Sequence, residues 1–582
     1  EKTARLLSLL DTPLPDNTET AAPALLALIR AADDANRYHE NLYAYTEAVY
    51  TADTRDPGPL REIGVLEAAA LPLLKAKALF GGRLLEKREL VLECLEAAED
   101  IKPYRYFITT SLEGARFMMK GELEDLANDL ARSGGDAWER LHGAVSSTAS
   151  ALWDEAAGER KTVIALRDLA CDPDRAVREK AYRAELAAWK SVEIPLAAAL
   201  NGVKGTAVTL DTRRGWRRPG DDGAAASAGV GALRKSAFQS RLGEKTLAAL
   251  IGALENSLPV FRRYLKVKAK ILGLETCAFY DLFAPPGGGG RKWSWKEAAA
   301  FIRERFDAFD RRMGDFARRA FSENWIDAEG REGKVGGAYC AGFPLAGESR
   351  VLCNFAHSFD SVITVAHELG HGYHHDVIKD LPPSRGTYPM TLAETASIFA
   401  ETIVFEGALS SPDIRESPAE KLSLIEGNLK DSCQVIVDIL SRYYFEKELF
   451  DRRDKAELSP AELCDMMRRA QIKTYGDALD PEKPHPYMWA VKSHYYSPRL
   501  GFYNYPYAFG LLFSLGLYSR YRKEGSGFAD AYREILRLTG QASAEDTARQ
   551  AGFDIEGPDF WLNGIGEIEA LVDEFERMAL AR

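Results

Sequence analysis

Seven of the nine histidines fall between His357 and His494, and within that stretch stands His367-Glu368-Leu369-Gly370-His371. Four residues apart on a helix, His367 and His371 stack on one face, where both imidazoles can reach a single ion. Glu368 is turned about 100° from His367. It then lies beside the ion rather than on it, placed to take a proton from a water in the ion's open position. Neutral imidazole plus carboxylate with one position left open is the catalytic ligand set of zinc, so one Zn²⁺ per chain is expected. Val362, Val365, Ala366, Leu369 and Tyr373 give the same helix an apolar flank for burial. The plainer reading is a helix carrying two satisfied histidines.

Two histidines leave the ion one protein ligand short. His374 follows too closely on the same helix, and it stands where a third-histidine motif of the H-E-x-x-H-x-x-G-x-x-H type needs Gly. His374 is therefore expected behind a ligand or facing substrate, and His375 at the surface or in a structural role. The better supplier is Glu394, 23 residues after His371. Pro382, Pro383 and Pro389 break the chain between them, so a second helix starts near Thr391 and can return antiparallel to the first. Its face carries Glu394, Ile398, Glu401 and Phe405, and a carboxylate on an apolar face calls for a cation. One local alternative competes, because Thr391-x-x-Glu394 also reads as a capping box. Glu401, two turns on, is placed either to orient a ligand histidine or to sit at the surface.

These elements belong to a chain of 582 residues, 46% hydrophobic, 10% aromatic and 28% charged, a globular composition. With 75 Lys and Arg against 87 Asp and Glu, the net charge is −12. That balance disfavours nucleic acid as a main partner. No run reaches the roughly 18 apolar residues of a membrane span, and no membrane partner is expected. The seven cysteines are scattered without a C-x-x-C pair, the usage of a reducing compartment, which makes the cytoplasm the default. The N-terminus has no signal-peptide layout, although it lacks Met and a removed leader stays open.

Helical periodicity dominates, over residues 90–98, 176–188, 247–272, 298–320 and 422–449. Strand-like alternation is confined to 206–211 and 349–355. The expected fold class is mainly α. Residues 213–229 and 285–290 read as loops. The Gly run of the second lacks the Gly-Lys-Ser/Thr ending of a phosphate loop. Arg213, Arg214, Arg217 and Arg218 around Trp216 read as a solvated face or a substrate-carboxylate contact ahead of a contact for an acidic partner.

The motif with Glu394 in Ala-Glu-Thr-Ala-Ser resembles the oligoendopeptidase F branch of the thimet-oligopeptidase-like zinc metallopeptidases. Gly336-Gly-Ala-Tyr-Cys340 with Val351-Leu-Cys-Asn-Phe355 is similar to that family's Gly-rich turn and edge strand before the zinc helix. Lys492-Ser-His494-Tyr-Tyr496 and Phe502-Tyr-Asn-Tyr-Pro-Tyr-Ala-Phe-Gly510 resemble its C-terminal His/Tyr signature. Gly372 and the doubled His374-His375 fit this branch. The likeness is firm over about residues 200–510.

The resemblance implies a two-lobed helical bowl or clam with a deep channel, divided as an N-terminal lobe, 1–200, and a catalytic lobe, 201–582. It implies oligopeptide substrates, with His367, His371 and Glu394 holding zinc and Glu368 as general base. Tyr503 and Tyr507, four apart, are expected on one helical face with Tyr505 off it. With His494 they are candidate hydrogen-bond donors to the oxyanion of a tetrahedral intermediate, against aromatic core packing as the alternative. Residues 351–355 are expected to bind extended substrate by edge pairing. Rival readings are a carboxypeptidase built on similar helices, a non-catalytic peptide-binding protein and a helical scaffold with an incidental motif.

Overall fold

The structure, a computed structural model, describes residues 1–217, 227–286 and 291–581. It is mainly α, and each periodic stretch is helical. Residues 298–320 form two helices, Trp295–Phe309 and Arg311–Ser322. Asp310 separates them: it leaves the helical conformation and its side chain accepts from the Arg312 N–H at 3.0 Å, capping the second helix. Residues 422–449 run through Pro418–Cys433, a π-helical turn Gln434–Asp438 and Ile439–Arg453. Among the described residues no helix is long and apolar enough to cross a membrane.

Residues 206–211 are not a strand; they lie inside the helix Glu193–Arg213. Their Val/Thr alternation covers six residues only, and they continue a helix whose preceding turn is fixed by tertiary packing, which overrides β propensity. A Cβ at Gly202 would stand 2.6 Å from the Trp138 ring, and Lys204 is buried against Glu446 at 2.8 Å.

Contacts divide the chain into two units, each assembled from three stretches. The first is 1–118, 291–411 and 514–553; the second is 119–290, 412–513 and 554–582. This division differs from a linear cut at 200/201. The N-terminal helices bond to the segments around the histidine motif. Thr51 Oγ1 meets Tyr339 Oη at 2.6 Å, and Asp33 accepts from the Ser384 N–H at 2.7 Å.

In the first unit, Thr18–Ala52 and Pro57–Glu86 pack around Leu25, Ile29, Leu73 and Leu84. Next comes a three-stranded sheet of β1 (Ile326–Asp327), β2 (Tyr339–Phe343) and β3 (Glu348–Leu352). Its order is β1-β3-β2, with β3 parallel to β1 and antiparallel to β2. β3 is thus the central strand and residues 353–355 have left the sheet, so 351–355 offer no free edge. The free edge is β2: the tight turn at Gly347 (φ +65°) joins it to β3, and β1 takes the far side of β3.

Helix α1 (Phe359–Ile378) starts at Ser358, whose side chain accepts from the Ser361 N–H. It buries Val362, Val365, Ala366, Leu369 and Tyr373, the apolar flank read from the sequence. After Pro382, Pro383 and Pro389, helix α2 (Met390–Leu409) returns antiparallel. His367 faces Glu401, and His371 faces Ala393 and Glu394. Between them Gly370 lets the helices close: a Cβ there would stand 2.6 Å from Ala396 O and from Ser397 Cα.

The second unit contains a hairpin, Ser150–Asp154 with Glu159–Thr162, and buried ion pairs between distant segments. Besides Lys204–Glu446, these are Lys268–Glu426 at 2.6 Å and Arg178–Asp281 at 3.0 Å. Helix α3 (Tyr505–Glu524) begins in this unit and ends in the first. Trp216 is buried, Arg214 pairs with Glu124, and Arg217 with Asp454 at 2.7 Å. Arg218, residues 219–226 of the first loop and 287–290 of the second lie outside the described residues.

Gly370→Ala tests the helix contact. In an exposed helix the change gains about 0.5–1 kcal/mol. Here the added methyl meets backbone that cannot swing away, and overpacking of this kind costs about 1–3 kcal/mol. A lowered melting temperature with weakened metal binding is expected; a variant as stable as the parent contradicts the close approach.

Candidate active site

α1 and α2 bring the three sequence-predicted ligands to one point. His367 Nε2 and His371 Nε2 are 3.1 Å apart, and Glu394 Oε2 lies 3.4 and 3.5 Å from them. Zinc–nitrogen and zinc–oxygen bonds of about 2.0–2.2 Å at tetrahedral angles put ligand atoms about 3.3–3.6 Å apart. The triangle is therefore of zinc size, and its residues are the one metal-competent group of this kind among those described. Glu394 is not a cap: Pro389 precedes the helix, no side chain caps it, and Ser397 Oγ donates to the Glu394 carboxylate at 2.6 Å.

The imidazoles are held from behind. His367 Nδ1 contacts Glu401 Oε1 at 2.5 Å, and His371 bonds to the Ala393 backbone. Both contacts leave Nε2 toward the ligand triangle, as metal-binding histidines require. The charges favour a cation. Burial works against a protonated His367, but Glu401, Glu394 and Glu368 outweigh it and lift the group to about 9. Burial, with His367 beside it, holds His371 well below the usual histidine range. Three carboxylates thus surround one imidazolium, and a divalent ion in place of that proton balances them better.

Glu368 projects from α1 beside the triangle, 5% exposed, with Oε2 buried and unpartnered. Burial raises its carboxyl to about 7; His367 opposes the shift and Glu394 and Glu401 reinforce it. His374 faces neither a ligand nor substrate. It is fully buried, contacts Leu536 O and Thr539 Oγ1 at 3.1 and 2.9 Å, and stacks on Tyr388. His375 is structural, 3.1 Å from Ser349 Oγ of β3.

The second unit gathers His494, Tyr503 and Tyr507. The His494 and Tyr503 rings stack at 5.4 Å, and the two tyrosine hydroxyls lie 3.2 Å apart. Tyr503 is not on the helix, however, because α3 begins at Tyr505. Phe502, at φ +54°, turns the chain, and the Tyr507 N–H bonds to Asn504 O at 3.1 Å. The turn supplies the proximity that helical spacing was expected to give. Tyr505 points away into the core, bonded to Ser236 and Ser240.

Two residues not singled out in the sequence fix the tautomer of His494. Arg442 Nη1 donates to Asn504 Oδ1 at 2.9 Å, so the Asn504 amide nitrogen faces His494 Nε2, at 2.6 Å. An amide nitrogen only donates. Nε2 therefore accepts and the ring proton sits on Nδ1. Burial, then Arg442, Lys204 and Lys492, push His494 down to about 2, so the ring is neutral near pH 7. Arg442 and Asn504 are 62 residues apart, beyond any local pattern.

Residues 302–567 match Peptidase family M3. They are a peptidase family M3 domain. The chain is similar to an oligoendopeptidase F homolog of Lactococcus lactis subsp. lactis (strain IL1403), 27% identical over 341 residues, 57% of this chain and 55% of the relative. It is 24% identical over 340 residues to oligopeptidase PepF of Bacillus subtilis (strain 168), 58% of this chain and 50% of that one. The chain thus spans about half the length of these curated relatives. In fold it is similar to oligoendopeptidase-F from Enterococcus faecium, with a TM-score of 0.70 at 17% identity over 100% and 98% of the two chains. The M3 domain contains the whole ligand triangle, Glu368, Glu401 and the His494–Tyr507 segment.

Glu394→Ala and Glu401→Ala separate the two roles of the M3 carboxylates. Loss of Glu394 is expected to empty the metal site, whereas a lost cap would cost only about 0.5–2 kcal/mol of stability. Loss of Glu401 is expected to weaken metal affinity about 10–100-fold without emptying the site. Metal content after dialysis, with a melting curve for each variant, reads both; full metal retention in Glu394→Ala rejects the ligand assignment.

Proposed function

We propose that the protein is a zinc-dependent endopeptidase hydrolysing peptide bonds in oligopeptides. The observation that carries this reading is the triangle of His367, His371 and Glu394 with a buried, unpartnered carboxylate, Glu368, beside it. The names of the similar proteins, oligoendopeptidase F and oligopeptidase PepF, support peptides as the substrate class.

A zinc ion held by His367, His371 and Glu394 supplies a Lewis acid for the scissile carbonyl and makes water more acidic. Glu368 takes the proton of the attacking water and later delivers it to the leaving amine. Burial and the neighbouring Glu394 and Glu401 raise this carboxyl, which favours its taking up a proton. Glu401 keeps His367 oriented and basic through Nδ1. The free edge of β2, Tyr339–Phe343, offers an extended peptide backbone N–H and C=O groups for strand addition. His494 through its Nδ1–H, with Tyr507 and Tyr503 through their hydroxyls, are proposed as donors to the developing oxyanion.

Chelation should abolish cleavage of a mixed peptide library, and added Zn²⁺ should restore it. Glu368→Gln should keep zinc and fold while losing nearly all turnover, because an amide cannot accept the water's proton. Turnover near the parent rate would place the base elsewhere. Cleavage of C-terminally amidated peptides separates the endopeptidase from a carboxypeptidase.

The donors have their own test. Tyr503→Phe and Tyr507→Phe keep the rings, and each is expected to lower kcat by roughly 10²–10³-fold with little change in KM. Tyr505→Phe loses only its contacts to Ser236 and Ser240, about 1 kcal/mol of stability, and should turn over normally. Normal kcat in both of the first two variants rejects the assignment.

A further inference from the structure

Outside the metal centre, the second unit holds a small cavity whose charges do not balance. About 40 Å³ in volume, it is lined by four cationic side chains, Arg167, Lys430, Arg442 and Lys492, and by one carboxylate, Asp438. Most of these are committed. Arg167 pairs with Glu185 at 2.9 Å, Lys430 lies 3.8 Å from Asp431, and Asp438 is taken by Arg442 Nη2.

Three donors are left over. The Lys492 ammonium makes no hydrogen bond or ion pair among the described residues, and neither does the Gln434 amide. Arg442 is 7% exposed, and its Nε–H is buried with no acceptor. The Arg442 Nε–H is a buried donor without a partner, which is costly, and the half-buried Lys492 and Gln434 bring two more unpaired donors to the same lining, so an acceptor is called for. The wall between Gln434 and Asp438 is a π-helical turn, a distortion frequent at functional sites.

We propose that this cavity binds one small monovalent anion, a halide or a carboxylate of formate size, held by Lys492, Gln434 and Arg442 Nε. Size limits the ligand: on this measure a single water needs about 10–15 Å³, so a nucleotide or a peptide does not fit. Charge limits it as well. One cation is uncompensated, and part of the wall is apolar, with Leu282, Phe283 and Met488, so a dianion would bring charge that the lining does not balance. The anion would sit one relay from His494, through Arg442 and Asn504.

Proton linkage gives the site a signature. Burial, then the nearby Arg442, lowers Lys492 to about 7; Asp438 and Glu185 act the other way and Arg167 adds to the fall. Tyr264, Cys433 and Tyr475, which also line the cavity, are all raised by burial and stay neutral. An anion stabilises the charged amine, so binding takes up a proton wherever Lys492 is neutral beforehand. The sign follows: affinity is nearly flat below pH 7 and falls about tenfold per pH unit above it.

The test titrates the whole protein with sodium chloride and sodium formate at constant ionic strength, balanced with gluconate, which is too large for the cavity. Melting temperature is read at pH 6.0 and pH 8.5. A saturable rise is expected, with the midpoint concentration at least tenfold higher at pH 8.5. In Lys492→Met the rise should vanish, and in Gln434→Leu the midpoint should increase at least threefold. Calorimetry of the parent protein at pH 8.5, in two buffers of different ionisation heat, should count about one proton taken up per anion. If Lys492→Met does not fold, that proton count decides alone. Absence of saturation, a shift that survives in Lys492→Met, or binding without proton uptake each overturns the site.

Discussion

The antiparallel contact of α1 and α2 is the constraint on which the rest of the candidate site depends. A helix alone sets the His367–His371 spacing but cannot bring a carboxylate to the same ion. Gly370 removes the side chain that would hold the helices apart, and the Ala396–Ser397 backbone moves into the space. Once the axes are that close, Glu394 and Glu401 arrive on opposite sides of His367, one at Nε2 and the other at Nδ1. The proline-broken segment between the helices lets the chain reverse, and the buried flank of α1 fixes its rotation. One missing Cβ thereby positions both the ligand and the group that orients it.

Electrostatics shape the two histidine clusters in opposite senses. Around His367 and His371 there is an excess of carboxylate, which draws in positive charge, whether a proton or a divalent ion. Around His494, burial first and then the cations Arg442, Lys204 and Lys492 keep that ring neutral. The buried pair Lys204–Glu446 adds order more than stability, because desolvating two charges consumes most of their attraction. Its other carboxylate oxygen accepts the Phe502 N–H at 2.9 Å. The pair thereby anchors the residue whose left-handed backbone turns Tyr503 toward Tyr507.

What was legible in the sequence follows the range of the interaction that decides it. His367, Glu368 and His371 are read from spacing within one helix turn. Glu394 needed one further inference, the chain reversal at the prolines, and its capping alternative could be dismissed only once the helix start at Met390 was known. Strand order was not legible. Residues 351–355 look like an edge until β1 and β2 are seen to pair with both sides of β3. Residues 206–211 look like a strand because their alternation is local, while Trp138 and Glu446, which pack on the preceding turn of the same helix at Gly202 and Lys204, lie far away in sequence. Nothing near His494 announces Arg442 or Asn504, because a hydrogen-bond relay leaves no periodic trace.

The relay also bears on the role proposed for His494 as a hydrogen-bond donor. A protonated imidazole would present two N–H groups but cannot persist beside Arg442 and Lys492. A neutral imidazole presents one, and its usefulness depends on which nitrogen carries it. Arg442 settles this from two bonds away: by claiming Asn504 Oδ1 it forces the amide nitrogen toward Nε2, which must then accept. The proton is left on Nδ1. Arg442, one of the groups that after burial keep His494 neutral, therefore selects its tautomer, and an Asn504→Asp change, which puts an acceptor-only carboxylate at Nε2, would draw the ring proton to that nitrogen. Hydrogen-bond direction is set here by one side chain, whereas the charge of the ring is set by burial first and by three cations after it.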